Sequence, residues 1–381
     1  MRYSLLDILA CPVTGEDLVL AAVTEAELSI PDVYISAATR VTTPGAAIGP
    51  LGSNTYPTDF FRLLAAHGSA AGDAARNFSH DVVEGILIAA GSGRWYPVQN
   101  GVPLLYPDSL RDWNTDLAFL QTLKPKIPQP VFDALYTMEN AARTAVSGDH
   151  HKNSEILLLG KVEDPSAFLG PGYVAPFSWG AYEHSAALIR GFAICLPLLN
   201  IARGDFVLDS GSGYSWTTQW LQQMGINPVG IEINRTYLDV GRHRMGATQP
   251  HLVVCDAENL PFRAGVFKAV LGFDAFHHIP NRNRAMQEFS RTMLPQGRVV
   301  LVEPGTAHTT DQYSIDIMDE FGTMEVGMSL EDVQSYVAGI SAFAAPQEHY
   351  IMPLVSAEPR MVTPDRAFIG WSMFTIDHGK V

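Results

Sequence analysis

The chain has 381 residues, 47% of them hydrophobic, enough for a large buried core and two or three domains. Its formal net charge is −15 and no run of Lys or Arg reaches four residues, which disfavours a nucleic-acid backbone as partner. Three widely separated cysteines (Cys11, Cys195, Cys255) cannot build a disulfide framework, which fits a reducing cytoplasm; no apolar stretch approaches the roughly 20 residues of a membrane span, so no membrane partner is expected.

The first element is the stretch "ILACPVTGE", residues 8–16. A Cys-Pro-x-x turn opens many zinc knuckles, but Thr14 stands where the second thiol would be. A lipid-attachment signal needs a basic start and roughly 7–15 apolar residues before the cysteine, and Asp7 interrupts the run. The fragment therefore reads as a buried strand or helix end.

Residues 1–107 are expected to form a small β-rich domain that closes on "GSGRWYPVQNGVPLLYPD", a strand, turn and strand punctuated by Asn100-Gly101. Gly, Pro, Ala and Ser crowd its middle, which predicts a surface insertion over about 21–80. Residues 108–200 read as a mostly helical connector. In it, "QPVFDALYTMENAARTAV" places Phe132, Leu135, Met138 and Ala142 at helical spacing, and "FLGPGYVAPFSWGAYEHS" interrupts as an aromatic loop.

From 201 to 381, short apolar runs ("FVLDS", "PVGIEI", "HLVVCD", "FKAVLGFD", "GRVVLVEP") alternate with helical stretches, the pattern of an α/β fold with an open parallel sheet. "SLEDVQSYVAGISA" offers a capping box at Ser329 and Asp332 and an apolar stripe at Val333, Tyr336, Val337 and Ile340. "HYIMPLV" and "AFIGWSMFTI" read as closing strands.

The chemistry centres on "FVLDSGSGYSWTTQWLQQMG", residues 206–225. Gly211 and Gly213 follow a strand and precede a helix, where a ligand can approach the backbone and meet the positive helix terminus. Asp209 ends the strand; a carboxylate there suits a cationic amino group and repels a pyrophosphate. Trp216 occupies the third glycine position of the dinucleotide fingerprint. Glu232 ends the next strand about 20 residues on, where an acid accepts from ribose hydroxyls. Asp256 ends a third strand and can accept from an exocyclic amino group.

Residues 204–305 resemble the class I methyltransferases dependent on S-adenosylmethionine, through "VLDSGSG", "GIEINRTYLDVGR", "CDAENLPFRAGVFKAVLGFDAFHHI" and "EFSRTMLPQGRVVLVEP". The resemblance implies a Rossmann-like, mostly parallel, seven-stranded sheet. It also implies that Asp209, Ser210, Gly211, Ser212 and Gly213 hold the methionine end of the cofactor, Glu232 and Ile233 the ribose, and Asp256 with Ala257 the adenine. Phe273 and Asp274 would line the floor beneath the sulfonium. Phe267-Lys268-Ala269-Val270 and Pro295-Gln296-Gly297 depart from the family pattern at positions away from the cofactor.

A sulfonium methyl is already activated, so orientation of donor and acceptor, worth roughly 7–11 kcal/mol, is the main task. For a hydroxyl acceptor, His277 or His278 is the candidate general base, an effect of about 100- to 10,000-fold. Trp179, Tyr182 and His184, just before the sheet domain, are candidates for an acceptor wall or lid.

"LLDILACPVTGEDL" and "RWYPVQNGVPLLYPD" resemble the zinc-ribbon-derived activators of tRNA and rRNA methyltransferases and their stand-alone bacterial relatives. Cys11 is kept, but Thr14, and Ala89 or its neighbours, stand where ligands would be. A structural zinc needs four ligands, so no metal is expected.

The expected activity is methyl transfer from S-adenosylmethionine, yielding S-adenosylhomocysteine, to a small molecule such as a sugar or specialised metabolite, with O-methylation favoured. An RNA or protein acceptor, or a non-catalytic scaffold keeping the cofactor fold, are the alternatives. Whether the protein forms a homo-oligomer stays open.

Overall fold

The computed structural model describes residues 1–27, 80–89, 91–142, 149–159, 176–177, 182–245, 250–350 and 371–379. They divide into two units, Met1–Asp149 with Ala247–Arg263, and His150–Gly246 with Ala264–Val381. Among the described residues, no helix is long and apolar enough to cross a membrane.

The first unit orders its strands β1 (Leu18–Glu27), β2 (His80–Ala89), β3 (Trp95–Gln99), β4 (Val102–Leu105) and β7 (His251–Cys255). The first three pairings are antiparallel; β4 and β7 run parallel, with Leu104 opposite Val254 and Leu105 opposite Cys255. Asn100 and Gly101 both take positive φ (50° and 75°), the two-residue turn that the Asn-Gly pair predicts. Strand β1 carries its ladder through Glu27, beyond the expected start of the insertion near residue 21; its register slips around Val23, an extra residue accommodated as a bulge. Residues 28–79, the body of the expected insertion, lie outside the described residues.

Alternate residues of β2 explain the unit's core. Ile86 and Ile88 share one face and pack with Trp95 against Leu120 and Leu123 of helix α1 (Trp113–Leu123) and Val131, Phe132 and Leu135 of α2 (Gln129–Ala142). The α1 N-terminus is capped by Asp112, whose carboxylate accepts from the Asn114 and Thr115 N–H groups at 3.0 and 3.2 Å. Of the predicted α2 stripe, the Met138 and Ala142 side chains lie outside the described residues.

The Cys11 turn is closed by its own backbone: the Cys11 N–H donates to the Glu16 carbonyl at 2.8 Å and the Gly15 N–H to the Cys11 carbonyl at 2.9 Å. The buried Cys11 Sγ lies 3.1 Å from the Tyr96 hydroxyl. Glu16 ties this turn to the one before β3, accepting from the Gly91 and Ser92 N–H groups at 2.6 and 2.9 Å.

In the second unit the strand order is β6 (Asn227–Glu232), β5 (Phe206–Ser210), β8 (Phe267–Phe273), β9 (Met293–Pro304), β11 (Trp371–Asp377), β10 (Gln347–Tyr350). The pairs from β6 to β9 are parallel, and β9–β11 and β11–β10 are antiparallel. The expected sheet was seven-stranded and mostly parallel. Among the described residues eleven strands occur, five in the first unit and six in the second, and the pairing is mixed because a closing hairpin folds back along β9.

Helices α3 (His150–Leu157), α4 (Tyr182–Cys195), α5 (Trp216–Gln223), α6 (Arg235–Met245), α7 (Arg282–Thr292), α8 (Gln312–Phe321) and α9 (Leu330–Val337) complete the unit. Leu188, Phe192 and Cys195 of α4 enter the core formed by Val207, Ala269, Leu271, Val300 and Val302. The stretch expected as one connector is thus shared: α1 and α2 finish the β2–β3 core, and α3 and α4 belong to the second unit. The capping box of α9 forms as predicted, but Ile340 of its stripe lies beyond the helix end. Residues 351–370, which carry parts of both predicted closing strands, lie outside the described residues.

Candidate functional site

Strand β5 delivers Asp209 and Ser210 to the start of a tight turn in which Gly211, Gly213 and Ser215 all have positive φ (72°, 48° and 60°). A Cβ on Gly211 would lie 2.4 Å from the Ala275 Cβ, so no larger residue fits. At Gly213 a Cβ would meet no heavy atom within 4 Å: the backbone there borders open space. The turn is anchored to the end of β6, since the Gly211 and Ser212 N–H groups both reach the Ile231 carbonyl, at 3.0 and 2.9 Å.

A buried acid and a half-buried one frame this turn. Asp209, 1% exposed, accepts from the Thr217 and Thr218 hydroxyls at 2.6 and 2.5 Å, which fixes the first turn of α5. Burial pushes its carboxyl up to about 6, and the two hydroxyls restrain the rise. Glu232 accepts from the Gly213 N–H and the Asn234 N–H, both at 3.0 Å. Burial pushes it up to about 7 against those backbone donors, with the nearby Glu155 adding to the rise.

The hydroxyls of Ser210, Ser212 and Ser215 are buried and have no hydrogen-bond partner among the described residues. Three orphaned polar groups beside a glycine turn with open backbone mark a place for a polar ligand.

Asp256 and Ala257 lie in the first unit, following β7. The Asp256 carboxylate accepts from the Glu258 N–H at 3.0 Å and from Asn259 Nδ2 at 2.8 Å. Ile233 follows Glu232 at the end of β6 and is half-buried. Phe273 ends β8 with its ring in the core, 5.5 Å from Trp216 and 6.4 Å from Phe192 between centroids, while Asp274 takes a left-handed φ of 54° at the strand end. Trp179 lies outside the described residues; Tyr182 and His184 fall on the first turn of α4, and their side chains lie outside them too.

His277 and His278 sit in a 3₁₀ turn, Phe276–His278, held by a carboxylate that sequence reading assigned no role. Glu303, at the end of β9 and fully buried, accepts from the N–H groups of Ala275 (3.2 Å) and Phe276 (2.9 Å) and faces His277 Nδ1 at 2.7 Å. His277 Nε2 lies 3.3 Å from Glu325, whose Oε2 also meets His308 Nε2 at 2.8 Å. His278 Nδ1 lies 3.3 Å from Glu155 and 3.7 Å from Glu325.

These acids decide the charge of the histidines. Burial lowers both, but Glu303 and Glu325 leave His277 raised, and Glu155, Glu325 and Asp274 push His278 up to about 10. Burial raises Glu325, yet the surrounding histidines hold it well below the usual carboxylate range. Glu303 carries the signal that found Asp209 and Glu232, an acid at a strand end; Glu155, His308 and Glu325 carry no local motif.

Residues 208–301 match the family described as "Methyltransferase domain", and residues 2–101 match "Trm112p-like protein". The chain thus carries a methyltransferase domain and a Trm112p-like N-terminal region. It is 27% identical over 145 residues to "Methyltransferase GfsG" of Streptomyces halstedii, covering 37% of this chain and 52% of that protein. It is 32% identical over 127 residues to "Ubiquinone/menaquinone biosynthesis C-methyltransferase UbiE" of Burkholderia mallei (strain SAVP1), covering 31% and 51%. The chain spans about half the length of these curated relatives. A chain from a complex containing the Haloferax volcanii Trm112 methyltransferase activator aligns with a TM-score of 0.42 at 16% identity, covering 51% of this chain and 92% of that one.

Proposed function

We propose that the protein transfers a methyl group from S-adenosylmethionine to a small-molecule acceptor, with an oxygen as the favoured target. The observation that carries this reading is the β5–α5 turn within the matched methyltransferase domain. Its open backbone at Gly213, its three orphaned serine hydroxyls and the adjacent Glu232 fit a ligand bearing hydroxyl and amino groups.

The bound cofactor supplies an activated methyl. The chain's own residues hold and orient it. Glu232 keeps acceptor capacity for ribose hydroxyls while its backbone donors fix the carboxylate. Asp209 secures the helix start and offers negative charge to the methionine amino group. Asp256 and Ala257 are assigned to the adenine, and Phe273 and Asp274 to the floor beneath the sulfonium.

Of the two histidines, His277 is buried and its Nδ1 is held by Glu303, so it acts as a positioning residue. His278, with 31% of its side chain exposed, is the one that meets an acceptor. The carboxylate beside it, Glu155, is placed to take a hydroxyl proton. Trp179, Tyr182 and His184 remain the proposed acceptor wall.

The Trm112p-like match favours a second reading, an RNA or protein acceptor. Incubation with radiolabelled S-adenosylmethionine separates the two: label recovered in small sugars or other specialised metabolites supports the first, and label recovered only in RNA or protein supports the second.

A further inference from the structure

We propose that His277, His278 and Glu325 form a binding site for a first-row divalent transition-metal ion. Among the described residues these three offer one ligand atom each, all within 4.8 Å of one another. His277 Nε2 stands 3.3 Å from Glu325, and His278 Nδ1 stands 3.7 Å from the other oxygen of the same carboxylate. Ligand atoms about 2.1 Å from a tetrahedral ion lie roughly 3.4 Å apart, a spacing both histidine–Glu325 distances approach and the 4.8 Å limit on the set allows.

The surroundings are built as ligand supports. A metal-bound imidazole ordinarily gives its other N–H to a carboxylate, which fixes the ring and aims the remaining nitrogen. Glu303 does this for His277 from a fully buried position, itself fixed by backbone N–H groups. His308 does the corresponding service for Glu325, at 2.8 Å on Oε2.

His278 Nδ1 also faces Glu155 Oε1 at 3.3 Å, so a second carboxylate borders the cluster.

Two imidazoles and one carboxylate select ions of the zinc, cobalt or iron kind over magnesium or calcium, which prefer all-oxygen shells. His278 is partly exposed, so the site would keep open coordination positions, as reactive rather than structural sites do. The expectation of a metal-free protein rested on the N-terminal turn; this cluster lies elsewhere, and the inference does not depend on the identity of the methyl acceptor.

The test uses the full chain, stripped with chelator and titrated with Zn²⁺ by calorimetry and with Co²⁺ by visible ligand-field absorption, with no cofactor added. One ion per chain is expected, bound at least tenfold more weakly by His278→Ala and by Glu325→Gln and unaffected by Cys11→Ser. Glu303→Gln is expected to cost roughly 10- to 100-fold, as supporting carboxylates do. Absence of saturable binding, equal affinity in the doubly substituted His278→Ala/Glu325→Gln chain, or loss of the ion in Cys11→Ser overturns the proposal. Cofactor binding that fails while the ion still binds would sink the methyltransferase reading alone.

Discussion

Glu303 faces His277 Nδ1 at 2.7 Å while accepting the Phe276 N–H at 2.9 Å, so one buried carboxylate fixes both the backbone and the ring of the histidine turn. Glu303→Gln replaces an acceptor of several hydrogen bonds by a group with one acceptor atom and leaves His277 facing an amide. Breaking such a buried pair costs roughly 3–5 kcal/mol. The expected result is a lower thermal midpoint by circular dichroism, with Glu303→Asp also impaired because the shorter side chain withdraws from the turn. An unchanged midpoint in Glu303→Gln would refute this role.

Gly211→Ala is predicted to disable the β5–α5 turn. The new Cβ lands on Ala275, and the positive φ adds roughly 1–2 kcal/mol for any L side chain. Pairing the change with Ala275→Gly removes the collision and leaves only the backbone penalty. S-adenosylhomocysteine affinity should thus fall sharply in the single variant and recover in part in the double one. Equal affinity in both variants would show that the collision is not what matters.

Stability and ligand binding should respond to pH with opposite signs. Glu232 and Asp209 titrate near 7 and 6 in the folded chain, above their ordinary values of 4.5 and 3.8; Glu155 and Tyr237 are electrostatically coupled to Glu232, and the Cys195 thiol to Asp209. The folded state therefore binds more protons than the unfolded one. Their contribution to stability is complete below about pH 4 and is lost as pH rises through 6 and 7. A ligand that needs the ionised carboxylates binds more tightly over the same rise, by at most about tenfold per pH unit for each group. Calorimetry at pH 6.5 in buffers of different ionisation enthalpy should detect proton release on binding. A heat that is independent of buffer, with affinity flat from pH 5.5 to 7.5, would contradict it.

Glu16→Ala should loosen the N-terminal unit. The carboxylate accepts from two backbone N–H groups of the turn before β3, and each such bond is worth roughly 1–2 kcal/mol. Faster amide exchange confined to residues 91–94 and the Cys11 turn is the expected signature, and unchanged protection there would exclude the link.

Much of the β5–α5 turn could be read from the sequence because its determinants are local. Gly211 and Gly213 report backbone conformation directly, and Asp209 and Glu232 end apolar runs that could only be strands. The Asn100-Gly101 turn and the Ser329–Asp332 capping box were readable for the same reason. What escaped depends on distant pairing. Nothing near Glu325 or Glu155 announces that they meet His277 and His278, and no local pattern tells that β11 runs antiparallel beside β9 or that β4 pairs with β7. The Phe273 ring, which the resemblance puts at the cofactor floor, packs beside Trp216, a partner no local pattern announces.

Calorimetric titration of the full chain with S-adenosylhomocysteine tests the central claim most directly. One site per chain, with Kd tighter than about 1 mM and weakened at least tenfold by Glu232→Ala, is the predicted result. No saturable binding to the wild-type chain, or equal binding to wild type and Glu232→Ala, would contradict the account.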